Sequence, residues 1–337
     1  MKNSIKKIVL LLITLLFLYL VFLNLNFEEL LQIIKEFDIK YAFFLAVSII
    51  IALSFRGLCF KQLISKTFDA PSKDLVPLCI TGAALNIVLP ARAGDIFRAY
   101  YVGHKYNVDK VKVFGTIMLE RIFDGLIILS MLLFGIYVYH KNELAQKLCV
   151  AAAVIFFGAL ICAIVAMKYN KTDAICRIIE EKASVFPSGI KKIILSILNF
   201  INRICNSFIA GFEILAHPKK LVPVAFFSLC IWAFECLNYF LVIQGFGCDV
   251  SWSVVLFIIG FIALACMIPS TSIFIGPYQF AVIAAFAIYD ISKEAALAIS
   301  LVEQAVVVLV TSIIAVLFLI KNNISYQELK EDINKTM

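Results

Sequence analysis

Long apolar runs, interrupted by short charged segments, dominate this chain of 337 residues. Runs of about 20 apolar residues recur along most of its length, and this is the length that an α-helix needs to cross the hydrocarbon core of a bilayer. A transmembrane barrel would instead show a weaker alternation over about ten residues. The pattern predicts an all-α polytopic membrane protein with about six transmembrane helices.

The predicted spans share a high apolar content and the length of a membrane crossing. They run approximately over residues 7–26, 41–63, 113–139, 148–167, 221–246 and 295–320. The first span follows a basic start and has no small-residue cleavage site. We therefore interpret residues 1–26 as a retained N-terminal anchor helix.

Two further apolar segments do not fit a simple crossing. Residues 75–90 are short and contain Pro77 and Gly82, and residues 250–290 are broken by a polar stretch that begins at Pro269. Half-crossing helices have this appearance, because irregular backbone at membrane depth is tolerated where it lines a cavity. Both segments are predicted to be re-entrant helical hairpins.

The two halves of the chain resemble each other locally. Residues 104–121 align without a gap on residues 287–304, and the alignment places Glu120 on Glu303. The predicted topology makes the two units face opposite ways. Inverted repeats with broken segments are typical of transporters, whose binding sites lie near the membrane midplane. Chance similarity is the alternative explanation.

These segments predict the organisation of the whole chain. It comprises an anchor helix (1–26), a first repeat (41–139), a connecting span (148–167), a linker (168–220), a second repeat (221–320) and a tail (321–337). The linker mixes apolar and charged residues at helical spacing, which predicts one or two amphipathic helices on the cytoplasmic interface. A soluble helical subdomain is the alternative. The Lys/Arg excess of the loops predicts that both termini are cytoplasmic.

Composition supports the membrane interpretation. The chain is 63% hydrophobic and 16% charged, which leaves too little polar surface for a water-soluble globule. Its net charge of +7 lies in loops between the spans, so membrane orientation explains it better than nucleic-acid binding. The ten cysteines are scattered without a CxxC pair, and we interpret them as apolar packing residues. We expect no cofactor and no metal site.

A group of charges lies inside the third predicted span. Each ionisable residue at such a depth costs about 2.5–3.5 kcal/mol on insertion scales, so its presence needs a reason. Glu120 and Asp124 are i,i+4 neighbours that repel unless they share a cation or a proton, while Arg121 can pair with Asp124. One interpretation is the polar floor of a headgroup cavity, with carboxylates that balance or release charge. The other is a structural ion-pair cluster.

Two more charges lie in apolar surroundings. Glu235 is deep in its span, and Arg56 or Arg121 is its candidate partner. Arg56 itself is near the cytoplasmic end of its predicted span, so we expect its side chain to snorkel to the interface.

The first broken segment ends in a dense set of polar and turn-forming residues. Glycine allows close backbone approach there, and guanidinium groups suit a phosphate. We predict a port for a lipid headgroup, and the alternative is a solvated positive-inside loop. The predicted substrate-binding residues are Asn86, Pro90, Arg92, Gly94, Asp95, Arg98, Glu120, Arg121, Asp124 and Glu303.

Residues 85–124 resemble a family signature: Asn, then Leu-Pro-x-Arg-x-Gly-Glu/Asp-x-x-Arg, then Glu-Arg-x-x-Asp in the next helix. The family is that of the lysylphosphatidylglycerol synthase transmembrane, or flippase-like, membrane proteins. Residues 268–304 are similar to its second signature, Pro-Ser-x-Pro-Gly-x-x-Gly followed by an acidic helix. Here Ser272-Ile273 replaces the Pro-Gly pair, and Gln279 stands where the family has an acid.

The resemblance implies a lipid-translocating domain of a bacterial or archaeal cytoplasmic membrane, without the aminoacyl-transferase domain of the namesake proteins. The leading hypothesis is a flippase, not an enzyme, that moves a phospholipid, glycolipid or polyprenyl-linked lipid between leaflets. The sequence has no GxxxxGKS/T motif for ATP hydrolysis. The alternatives are a membrane-embedded transferase with a lipid-linked substrate and a non-catalytic partner of an envelope-lipid synthase. The sequence leaves the oligomeric state open.

Overall fold

The structure is a computed structural model that describes residues 16–65, 67–89, 92–139, 143–168, 188–265, 276–289 and 291–323. Within these residues the chain is helical and contains no strand. The prediction of an all-α protein is therefore confirmed.

The described helices follow one another with short connections. They are α1 (Leu16–Phe22), α2 (Phe27–Glu36), α3 (Ile39–Ile64), α4 (Ser72–Val88), α5 (Ala93–Lys105), α6 (Lys110–Tyr139), α7 (Glu143–Lys168), α8 (Ser188–Ala210), α9 (Pro218–Gly245), α10 (Trp252–Ala265), α11 (Pro277–Ala287) and α12 (Lys293–Lys321). A short 3-10 helix, Glu213–Ala216, lies between α8 and α9.

Three helices of the described chain, α3, α9 and α12, are long and apolar enough to cross a membrane. The pair α1 and α2 would make a fourth crossing, although the two helices meet at an angle of 81°. Each of the six predicted spans overlaps a helix. The exact number of crossings stays a prediction.

Side-chain caps explain where the long helices begin. The Asp38 carboxylate accepts a hydrogen bond from the backbone N–H of Lys40 at the start of α3. The Ser292 hydroxyl accepts one from the N–H of Ala295 at the start of α12. Each cap satisfies an N–H group that has no partner within its helix.

The first predicted broken segment, residues 75–90, lies along α4, and the second arm of the hairpin is α5, beyond the predicted bounds. The helices approach closely at two glycines, since a Cβ atom on Gly94 would lie 1.8 Å from the carbonyl oxygen of Gly82. Arg92 precedes α5 in the left-handed conformation, with φ of 54°. Pro90 lies outside the described residues. Whether this hairpin is re-entrant stays a prediction.

The second predicted broken segment also contains two short helices, α10 and α11. Residues 266–275, which include its polar stretch, lie outside the described residues. Gly276 follows with φ of 96°, a conformation that favours glycine, and its N–H donates to the Gln279 side chain at 2.8 Å. The inverted repeat predicts that the tips of the two hairpins border one midplane site, and this stays a prediction because both tips include residues outside the described part of the chain.

The largest apolar core joins α3, α6, α9, α10, α11 and α12. Leu45, Leu132, Val242, Ile258 and Phe286 are among its buried side chains. This core holds the helices of the first and second predicted repeats side by side. Polar groups on their inner faces are thereby brought close together.

The predicted linker contains α8, which packs against the start of α6. Thr116 donates a hydrogen bond to the carbonyl of Gly211 at 3.2 Å, and Lys112 pairs with Glu213 at 3.1 Å. Residues 169–187 lie outside the described part of the chain. The placement of the linker on the cytoplasmic interface stays a prediction.

Candidate functional site

Six ionisable side chains from α3, α5 and α6 meet inside the helical bundle. We call them the charge cluster: Arg56, Asp95, Arg98, Glu120, Arg121 and Asp124. Glu120 lies at its centre and is 1% exposed. Its carboxylate accepts hydrogen bonds from Arg98 at 2.8 Å and Arg56 at 2.9 Å. A third guanidinium, that of Arg121, donates to it at 3.0 Å.

The other two carboxylates of the charge cluster are also held by arginines. Asp124 accepts from Arg56 at 2.8 Å and from Arg121 at 3.1 Å. The indole N–H of Trp232 on α9 donates to its second oxygen at 3.0 Å. Asp95 lies 3.4 Å from Arg98, and its carboxylate accepts a hydrogen bond from the side-chain amide of Asn86 on α4 at 3.3 Å.

Charge balance makes this cluster tolerable in an apolar bundle. Three guanidinium groups face three carboxylates, so the formal charges cancel. Burial of ions costs several kcal/mol each unless good geometry and further hydrogen bonds compensate. The Arg98 guanidinium also lies over the Phe60 ring at 4.4 Å, and a Cβ atom on Gly82 would lie 2.6 Å from its Cδ atom. Gly82 therefore leaves room for this arginine.

A cavity of about 360 Å³ lies beside the charge cluster, and we call it the central cavity. Its walls come from α3, α4, α5, α6, α9, α11 and α12. The predicted site residues that line it are Asn86, Arg92, Asp95, Arg98, Arg121 and Glu303. Glu120 and Asp124 are not among its lining residues and lie buried within the charge cluster. Gly94 packs against α4, and Pro90 lies outside the described residues.

The second predicted repeat supplies an acidic wall to the central cavity. Glu235 on α9 and Glu303 on α12 both line it. The phenol of Tyr278 on α11 donates a hydrogen bond to Glu303 and shares another with the phenol of Tyr239. The side chain of Gln304 also lines this wall and accepts from Gln279 at 2.7 Å.

Arg92 differs from the other arginines of the central cavity. Its side chain is exposed, and it forms no ion pair within the part of the chain that the structure describes. The arginines of the charge cluster are neutralised by their own carboxylates. Arg92 therefore gives this part of the cavity a positive charge in excess.

An apolar groove lies on the other side of α9. It has a volume of about 530 Å³ and is bounded by α6, α9 and α10. Trp232 lines this groove and at the same time donates its indole N–H to Asp124. A single side chain thus connects the charge cluster to a hydrocarbon-like surface.

The structure confirms one predicted pair and corrects one expectation. Arg121 and Asp124 form the expected i,i+3 ion pair at 3.1 Å. The cation that Glu120 and Asp124 share is the guanidinium of Arg56, which contacts them at 2.9 and 2.8 Å. The expectation that Arg56 snorkels to the interface is wrong, because these two carboxylates offer it a stronger interaction than water.

The partner of Glu235 is also different from the candidates. Its carboxylate accepts from the Asn238 amide at 3.4 Å, and among the described residues it forms no ion pair with Arg56 or Arg121. In the same part of the chain, no group of three His, Cys, Asp or Glu side chains is placed to hold a metal ion.

Sequence reasoning missed several residues of the central cavity. Tyr278 and Asn238 are neutral polar residues in apolar helices, and their only signal was their polarity at a predicted membrane depth. Trp232 carried no signal, because a tryptophan in a span is ordinary. Its role depends on a contact with Asp124, which is 108 positions away along the chain.

The aligned acids occupy the same position in their helices. Glu120 lies ten residues after Lys110, the first residue of α6, and Glu303 lies ten residues after Lys293, the first residue of α12. Both helices follow a hairpin of two short helices. The inverted repeat itself stays a prediction.

Comparisons with known proteins agree with the membrane character of this fold. The family model described as "Lysylphosphatidylglycerol synthase TM region" matches residues 7–315. The chain is similar to the UPF0104 membrane protein MJ1595 of Methanocaldococcus jannaschii, at 23% identity over 89% of this chain and 90% of that protein. No solved structure matches it.

Two shorter similarities concern parts of the chain only. Glycosyltransferase AglD of Haloferax volcanii is 29% identical over 119 residues, which is 35% of this chain and 19% of that protein. The UPF0104 membrane protein MJ1078 of Methanocaldococcus jannaschii is 30% identical over 64 residues, or 19% of this chain and 27% of that protein.

Proposed function

The chain belongs to the lysylphosphatidylglycerol synthase transmembrane family, and from this premise we propose that it moves a lipid with a phosphate-bearing headgroup between membrane leaflets. The observation that carries the proposal is the central cavity. It lies between helices that are apolar enough to span a membrane, and its otherwise mostly apolar wall contains arginines and other charged side chains. Phospholipids and polyprenyl-linked phosphate lipids share the chemistry that such a cavity would bind.

Arg92 is the proposed contact to the headgroup phosphate. A guanidinium presents several N–H donors in a plane, and it binds phosphate through two parallel hydrogen bonds. Arg92 is exposed to the cavity and has no carboxylate partner among the described residues, so its donors are free for an anion.

The charge cluster plays a different part in this proposal. Its arginines are already bound to Asp95, Glu120 and Asp124, so they do not need a ligand for neutrality. The cluster fixes α3, α5 and α6 relative to one another. It also presents the edges of Arg98 and Arg121 to the cavity, where they add to the positive potential around Arg92.

The lipid chains have a proposed path along the apolar groove. Burial of each CH₂ group there contributes about 0.8 kcal/mol relative to water, although surrounding lipid offers the same gain. The groove therefore guides the chains more than it binds them. Trp232 lies between groove and charge cluster, where the apolar and polar parts of a lipid would meet.

A transferase that acts on a lipid-linked substrate is the second candidate. The partial similarity to glycosyltransferase AglD favours it, but that similarity covers only 19% of the relative. A partner subunit of an envelope-lipid synthase is the third. As part of the same proposal, the protein resides in the cytoplasmic membrane with both termini on the cytoplasmic side.

Lipid exchange in reconstituted vesicles tests the proposal. The purified protein is placed in liposomes that contain a trace of fluorescent phosphatidylglycerol, and a membrane-impermeant reductant then quenches the outer leaflet. Active protein lets the inner-leaflet signal decay while chromatography shows an unchanged lipid. Loss of charge-assisted hydrogen bonds costs about 1.5–3 kcal/mol each, so R92Q should slow exchange by about 10- to 100-fold.

The matched control is R203Q, which removes an exposed arginine of α8 that does not line the cavity. It should exchange lipid at the parent rate. A parent protein that exchanges no lipid refutes the proposal, and a chemically altered lipid favours the transferase. Equal rates for R92Q and R203Q would show that Arg92 is not the phosphate contact.

A further inference from the structure

Neither Glu235 nor Glu303, the two acids of the acidic wall, forms an ion pair within the described residues. Glu303 is buried at 8% exposure, and its hydrogen-bond donor is the neutral phenol of Tyr278. Residues 250–290, the predicted second hairpin, include no lysine, arginine or histidine. The part of this hairpin outside the described residues therefore cannot supply a cation.

The aligned acid of the first half has the opposite environment. Glu120 accepts from three guanidiniums and stays a carboxylate because removal of its charge would leave those cations uncompensated. Glu303 carries no such constraint. A carboxylate without a cation in an apolar interior is costly, and the cost disappears when the group binds a proton. Of these two acids, Glu303 is the one that can change its charge.

Hydrogen bonds connect Glu303 to two other helices. Tyr278 on α11 donates to the Glu303 carboxylate, and the phenol of Tyr239 on α9 shares a hydrogen bond with Tyr278. Tyrosine hydroxyls both donate and accept, so this chain can pass a proton to or from Glu303. The carboxyl group also lines the cavity, where water and headgroup have access to it.

Protonation of Glu303 would weaken the link between α11 and α12. A hydrogen bond to a carboxylate is about twice as strong as one to a neutral acceptor. The start of α11 lies at Gly276, whose φ of 96° marks a turn that few other residues adopt. Two side-chain hydrogen bonds tie α11 to α12, and the one from Tyr278 depends on the charge of the Glu303 carboxyl group, whereas the one between Gln279 and Gln304 does not.

Other titratable and charged groups face Glu303 from each helix around the cavity. On the acidic wall these are Glu235 and Tyr239 of α9 and Tyr278 of α11. Across the cavity they are Arg56 of α3, Cys79 of α4, Arg92 just before α5, Asp95 and Arg98 of α5, and Arg121 of α6. All of these arginines except Arg92 are engaged with carboxylates of the charge cluster.

From this geometry we infer that Glu303 is a proton-binding site that couples lipid movement to a transmembrane proton gradient. The inference rests on the proposed lipid transport. In each cycle the Glu303 carboxylate takes up one proton through the cavity or the tyrosine pair and becomes a neutral carboxylic acid. After α11 has changed position, the carboxylic acid releases that proton to the opposite side of the membrane, and no other covalent bond is made or broken.

The test uses the same vesicles with an imposed proton gradient and no initial lipid asymmetry. The parent protein should accumulate fluorescent phosphatidylglycerol in one leaflet, and a protonophore should abolish the accumulation. E303Q, which mimics the protonated acid, should lose the accumulation and show an exchange rate that does not vary between about pH 5 and about pH 8. The matched control, E294Q on the same helix, should respond as the parent does, because Glu294 contacts Asn26 outside the cavity.

A second variant keeps the test decisive if E303Q does not fold. Y278F retains the carboxyl group but removes its hydrogen-bond donor, which favoured the charged form. Lipid exchange by Y278F should still respond to pH, and the midpoint of its pH dependence should move to higher pH. An unchanged midpoint contradicts the role of the Tyr278 phenol in the proton site.

The remaining outcomes separate this inference from the proposed function. Absence of any lipid exchange refutes the proposed function and the inference together. Exchange that ignores the proton gradient, or that follows a sodium gradient instead, refutes the inference alone. If E303Q slows phosphatidylethanolamine but not phosphatidylglycerol, the carboxylate binds the ammonium group of the cargo, and the inference is again wrong.

Discussion

Replacement of Glu120 by glutamine tests whether the charge cluster is an electrostatic unit. The substitution keeps the shape of the side chain but removes its negative charge. In the parent protein three guanidiniums lie within 3.0 Å of the Glu120 carboxylate oxygens. In E120Q the same three cations face two remaining carboxylates, Asp95 and Asp124.

The size of the effect follows from the burial of the group. Glu120 is 1% exposed, so water does not screen the uncompensated positive charge. Removal of one member of a buried ion pair costs about 3–5 kcal/mol, because the other charge stays buried. This is a large part of the total stability of about 5–15 kcal/mol that folded proteins have. We expect E120Q to lower the thermal midpoint by roughly 6–10 °C, at about 2 °C per kcal/mol.

Thermal unfolding of the detergent-solubilised protein measures this effect. The matched control is E213Q, which changes an ion pair with Lys112 whose glutamate side chain is 47% exposed. Exposed pairs contribute about 0–1 kcal/mol, so E213Q should move the midpoint by at most about 2 °C. The double variant E120Q/R98M should recover part of the loss, because it removes one of the uncompensated cations. Equal midpoints for E120Q and E213Q would refute the electrostatic reasoning.

Two further substitutions test the geometry around the site. G94A should destabilise the α4–α5 hairpin by about 1–3 kcal/mol, because its Cβ atom would lie 1.8 Å from the Gly82 oxygen. G158A meets no atom within 4 Å and should instead be neutral or stabilising by up to about 1 kcal/mol, as read from thermal midpoints. W232F should cost about 1.5–3 kcal/mol of stability, because it removes the indole N–H that donates a hydrogen bond to Asp124. The control is W252F, which replaces an indole stacked on Phe240 at 4.2 Å. In double-mutant cycles with D124N, W232F should show coupling to Asp124 and W252F should not. Equal coupling of both tryptophans to Asp124 would contradict this assignment.

The fold was predictable because its signals are local. A bilayer requires runs of about 20 apolar residues and helical backbone, and both requirements appear directly in the sequence. The glycine at position 94 indicated a break, and the structure ends α4 at Val88 and begins α5 at Ala93. Gly82, which also suggested an interruption, instead lies inside α4 and packs against Gly94. Local sequence does not determine the number of crossings, because a short apolar helix can cross the membrane, turn back within it or lie inside the protein.

The candidate site was predictable only in part. Arg121 and Asp124 are three residues apart on one helix, so their pairing followed from helix geometry. The partners of Arg56 could not be found in this way, because Glu120 is 64 residues away along the chain. Its position near the end of a span suggested water as the partner. The packing of α3 against α6 instead brings the buried carboxylates close to Arg56, and they are its stronger partners.

The difference between the two halves of the chain bears on mechanism. Residues 72–105 of the first hairpin contain Arg92, Asp95 and Arg98, whereas residues 250–290 of the second contain no basic residue and a single acid, Asp290, at their end. An acid beside the first hairpin is therefore bound to arginines and fixed in charge. Glu303, beside the second, accepts a hydrogen bond from the Tyr278 phenol and forms no ion pair within the described residues, so it can gain or lose a proton without breaking one. On this argument the first half is the rigid side of the central cavity, and movement linked to a proton belongs to the second.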